Sequence, residues 1–105
     1  MAKKSKQEQI EEAKLLEAQL DKAYYEMCDF AKKNPSEKVS LLKIRLINRI
    51  LSRIKEMLKD DPTGEFLDLM NEDELPSTSD AVMIMGQHCS ALHQYRYRGP
   101  VNGWG

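Results

Sequence analysis

The chain is expected to be all-α, and three features of its sequence carry that expectation. No glycine or proline interrupts residues 6–33, where apolar side chains recur every three or four positions. Val39 to Leu58 is apolar around more than half of a helical circumference. A third periodic stretch follows the hydroxyl-rich "PSTSD". The predicted architecture is a long antiparallel helical hairpin plus a short helix and a third helix, forming a bundle completed by homodimerisation. Helices are expected at about 6–33, 36–59, 62–71 and 79–95, within one domain spanning 1–95, and residues 96–105 are expected to be a flexible C-terminal tail.

In the first segment Ile10, Ala13, Leu16, Leu20, Ala23, Tyr24, Met27, Phe30 and Ala31 fall on one stripe. Asn34 precedes Pro35 and is pushed out of helical geometry, which ends the helix. The second segment places Val39, Leu42, Ile44, Leu46, Ile47, Ile50, Leu51, Ile54, Met57 and Leu58 on an arc of roughly 200°, against the ~100° that one-sided packing requires. Such a helix needs two neighbours and belongs at the centre of the fold. Arg45, Asn48, Arg49, Ser52, Lys55, Glu56 and Lys59 are left for its exposed face.

Asp61 as a cap and Pro62 at a first helical position suggest a short helix with Phe66, Leu67, Leu69 and Met70 on one side. Ser77 or Ser79 then caps the third long helix, on which Val82, Met85, Cys89 and Leu92 share a stripe. Gly86 lies inside that helix at a cost of ~1 kcal/mol relative to Ala, which suggests the close approach of another backbone.

The formal net charge of −1 hides a segregation. Residues 34–59 carry seven Lys and Arg against Glu37 and Glu56, and residues 60–80 carry eight Asp and Glu with no base. The acidic stretch can lie across the basic helix within one chain or in its dimer mate, in surface pairs worth ~0–1 kcal/mol each. No apolar run approaches the ~18 residues of a membrane span, and "MAKKSKQEQ" leads into "IEEAK" rather than into a signal core. Two distant cysteines make no disulfide framework, so a cytoplasmic protein with reduced thiols is expected.

Chemistry is scarce in this sequence. Cys89 and His93 share a helix face, but His88 points about 140° away from His93, and no third ligand stands at zinc spacing. Cys89 is read as core and the histidines as lying at the edge of the helix face. Phosphate-binding glycine loops are missing, since "DPTGE" and "GPVNGWG" lack a strand–turn–helix context. No metal, cofactor, catalytic residue or small-molecule substrate is expected, and the protein is read as a non-enzyme.

Two binding functions remain. The favoured one is a non-catalytic protein-interaction module, an adaptor, regulator or assembly factor that self-associates and binds another macromolecule. Its core and oligomer faces would be Ile10, Leu16, Leu20, Tyr24, Met27, Leu46, Ile47, Ile50, Ile54 and Met57. A hairpin of two helices of about 36–42 Å outreaches a third helix of about 25 Å, leaving apolar stripe for a second copy. Arg96, Tyr97, Arg98 and Trp104 would recognise a partner from the tail. The alternative is a nucleic-acid-binding accessory protein using Arg45, Arg49, Arg53, Lys55 and Lys59 together with that Tyr/Arg/Trp tail. A pI near 6.1 and the adjacent acids argue against it.

Overall fold

A computed structural model describes residues 5–98, and within them the backbone forms three α-helices with no strand. They are α1 (Lys6–Lys33), α2 (Leu41–Met57) and α3 (Thr78–Arg98), with one 3-10 turn at Pro62–Gly64. The 28 residues of α1 account for the 44 Å long dimension, at 1.5 Å per residue.

Each helix starts where the sequence supplies a hydrogen-bond acceptor. Ser5 accepts from the Glu8 amide at 3.1 Å while Glu8 accepts from the Ser5 amide at 3.2 Å, a reciprocal capping box. Ser40 caps α2 by accepting from the Lys43 amide, and Ser77 caps α3 by accepting from the Asp80 amide.

α2 thus begins at Leu41, five residues later than expected. Glu37 to Val39 have another use. The Val39 amide donates to the Pro76 carbonyl at 2.9 Å, and the Thr78 amide donates to the Glu37 carbonyl at 2.8 Å. This antiparallel bridge, Lys38 to Ser77, spends backbone groups that a first helical turn would need.

Helix directions follow from the side-chain pairs. Glu12 meets Arg53 and Phe30 meets Lys43, so α1 and α2 are antiparallel. Glu17 meets Arg96, and the Asn34 carbonyl accepts from the Thr78 hydroxyl, so α1 and α3 are antiparallel too. α2 and α3 therefore run parallel, and residues 58–77 form a return strap along them. α1 packs over more of its backbone against α3 than against α2. An α1/α2 hairpin is present, but its tightest seam is elsewhere.

The strap replaces the helix expected over 62–71. The Asp68 amide donates to Gln87, the Met70 amide donates to Asn48, and the Asp73 and Glu74 amides both donate to Asn71. Those donors are committed to partners that an α-helix would forbid. Leu67 and Met70 point inward and Phe66 and Leu69 outward.

The core joins Leu16, Leu20 and Met27 of α1, Ile44, Ile47, Leu51 and Ile54 of α2, Met85 and Leu92 of α3, and Leu58, Leu67 and Met70 of the strap. The broad apolar girth of α2 is satisfied by α1, α3 and the strap together. Coverage is incomplete, because Leu42 and Leu46 stand outside the core. At Gly86 the approaching group is the Tyr24 ring, whose hydroxyl would lie 3.7 Å from a Cβ there, rather than the backbone expected. α3 also continues to Arg98, three residues beyond its expected end at Tyr95.

Candidate interaction surface

The looser α1/α2 seam opens as a groove on the outside of the bundle. At one end a cavity of about 510 Å³ is lined by Glu11, Glu12, Leu15, Leu16, Gln19, Arg49, Ile50 and Arg53. At the other, about 200 Å³ is lined by Ala23, Glu26, Met27, Phe30, Lys43, Leu46, Ile47 and Ile50. Ile50 borders both, so the two cavities lie next to each other along the same α1/α2 seam. Leu46 is 48 % exposed, Leu15 60 % and Leu42 68 %. At the far end the Lys43 ammonium sits 4.2 Å above the Phe30 ring.

Of the ten residues expected on the core and oligomer faces, Leu16, Leu20, Met27, Ile47 and Ile54 lie in the core of the single chain. Ile10, Tyr24, Ile50 and Met57 are half-buried, and Leu46 is exposed on the groove. The surface able to meet another chain is thus narrower than that set. Leu15 and Phe30, from outside that set, also line the groove.

The basic face of α2 is largely engaged by acids of the same chain. Arg45 donates to Glu72 at 3.1 Å, Arg53 to Glu12 at 2.6 Å and Lys59 to Glu56 at 3.0 Å. Glu72 belongs to the acidic strap, whereas Glu12 lies on α1 and Glu56 on α2 itself. Arg49 and Lys55 have no ion-pair partner among the described residues. Two separated cations make a poor phosphate track.

The expected recognition tail divides. Arg96 is part of α3 and is bound to Glu17 of α1, which His93 also approaches at 3.9 Å. Tyr97 is 88 % exposed, its ring 6.1 Å from that of His93. Arg98 ends α3, and Trp104 lies outside the described residues.

The histidines and cysteines are not brought together as a site. His88, expected at the edge of the helix face, is fully buried; His93 is exposed beside Glu17. The Ile84 carbonyl can only accept, so His88 Nδ1 donates to it at 3.0 Å, leaving Nε2 as an acceptor without a partner among the described residues. Burial lowers the His88 pKa, against a smaller opposing effect of that backbone bond. Burial also pushes the Cys89 thiol up to about 11, with Asp21, Cys28 and Glu17 adding in the same direction, so it is held protonated near neutrality. Among the described residues no three His, Cys, Asp or Glu side chains are placed to hold a metal ion. No described helix is long and apolar enough to cross a membrane.

Asn48, like His88, lies deeper than the sequence predicts. Assigned to the exposed face, it is buried and bonded to the strap. Its position four residues after Ile44 and three before Leu51 was the available signal, since both neighbours are fully buried. Comparison with protein-family models, curated proteins and solved structures finds no match to this chain.

Proposed function

We propose that this chain is a non-catalytic protein-interaction module, an adaptor, regulator or assembly factor whose α1/α2 groove receives an apolar helical face from another chain, with homodimerisation as one use of that surface. The observation that carries the reading is the row Leu15, Ile50, Leu46 and Phe30, presented to solvent along a trough between two antiparallel helices. A third helix laid in such a trough buries its own apolar stripe at positions three and four apart. Charged lips on both sides set its direction. The pairing of Arg45, Arg53 and Lys59 with acids of the same chain weighs against the nucleic-acid alternative.

A photo-crosslinking residue at position 46, expressed in the native host, tests the reading. Protein adducts are expected there and not at the exposed control position Glu65. Equal labelling at both positions, or none at 46, would remove the groove from consideration.

A further inference from the structure

We propose that the groove is closed by the same groove of a second copy, about a two-fold axis parallel to the helices, so that Glu26 of each protomer meets Lys43 of the other. This rests on the interaction reading above and commits it to one occupant.

Charge chooses the orientation. The α1 lip carries Glu12 and Glu26, and the α2 lip carries Lys43, Arg49 and Arg53. Because the helices are antiparallel, acid and base stand at matching heights: Glu12 pairs with Arg53, and Glu26 and Lys43 line the same end of the trough. An axis perpendicular to the helices would lay α1 on α1 and α2 on α2, bringing acid to acid and base to base. An axis along the helices lays each α1 on the partner's α2 without changing height, and every lip then meets its opposite. Glu26 and Arg49 have no ion-pair partner among the described residues, and Lys43 rests on the Phe30 ring. These are the charges available to a second copy. Between them Leu15 and Leu46 would leave water, so that two helices from each protomer form a four-helix layer.

Sedimentation equilibrium on the full chain tests the arrangement. The parent should give about twice 12.1 kDa. Glu26→Lys and Lys43→Glu, both exposed and so expected to keep the parent circular dichroism, should each weaken the dimer about tenfold or more. Mixed in equal amounts the two variants should form a heterodimer, since both cross-pairs become attractive again. A parent that stays monomeric at high micromolar concentration overturns the proposal, as does a dimer indifferent to both reversals or a mixture that fails to reassociate. Adducts from position 46 to a different protein, with a monomeric parent, would leave the interaction reading standing and remove only the second copy.

Discussion

Asn48 and Met70 hold each other through paired hydrogen bonds: the Asn48 amide donates to the Met70 carbonyl at 2.9 Å, and its oxygen accepts from the Met70 amide at 3.0 Å. The side chain imitates a backbone partner and fastens the strap to α2. Asn48→Leu leaves both Met70 groups buried without partners, at an expected cost of about 2–3 kcal/mol. Urea denaturation reads the loss, and the Met70 amide should lose its hydrogen-exchange protection first. An unchanged midpoint would mean that water replaces the side chain without penalty.

The two glycines among the described residues, Gly64 and Gly86, predict opposite signs. At Gly86 an added methyl meets the Tyr24 ring at ordinary van der Waals distance, so Gly86→Ala should stabilise α3 by ~1 kcal/mol. At Gly64 a Cβ would press far inside contact with the Leu58 carbonyl oxygen, and Gly64→Ala should cost ~1–3 kcal/mol. Thermal melts of both variants suffice, and shifts of the same sign would refute the packing at one of them.

His88 gives the stability a pH dependence. Burial holds its folded pKa below the ordinary 6.5, so the unfolded chain takes up a proton that the folded one refuses. The contribution is intact above 6.5 and is lost as the pH falls through the lower folded value. His88→Leu should flatten the decline in urea midpoint below pH 6.5. Parallel curves for parent and variant would show that other groups cause it.

Leu20 and Leu46 separate folding from association. Leu20 is fully buried, and Leu20→Asp should abolish the cooperative thermal transition. Leu46 is on the groove, and Leu46→Asp should keep the fold while losing adducts and self-association. A Leu46→Asp chain that unfolds would assign this residue to the core.

Cys89 should resist alkylation. With its thiol at about 11, only about a thousandth is thiolate at pH 8, and iodoacetamide should label it slowly until urea opens the bundle. Fast native labelling, located by peptide mass mapping, would place the thiol at the surface.

The periodic helices were legible because the α1, α2 and α3 patterns are long and locally consistent. α1 matches its expected bounds, Lys6–Lys33. What could not be read depended on partners distant in sequence. The start of α2 is set by Pro76 and Thr78, the form of 62–71 by Asn48 and Gln87, and the burial of His88 by the strap-covered side of α3. The groove was only half legible: the surplus of apolar side chains on α2 was visible, but which of them the strap would cover was not. Phe66, expected to give a helix its apolar side, ends exposed once that segment extends.

The parallel course of α2 and α3 bears on how the chain is made. The seam of α1 with α3 cannot begin to form until all of residues 34–77 has been synthesised, because α3 starts only at Thr78. During translation α1 therefore waits beside the ribosome with its main companion still unmade. Contacts so widely spaced along the chain raise the contact order above that of a simple up-and-down bundle. Folding should consequently be completed only as the third helix emerges, with at most the α1/α2 pairing formed before it.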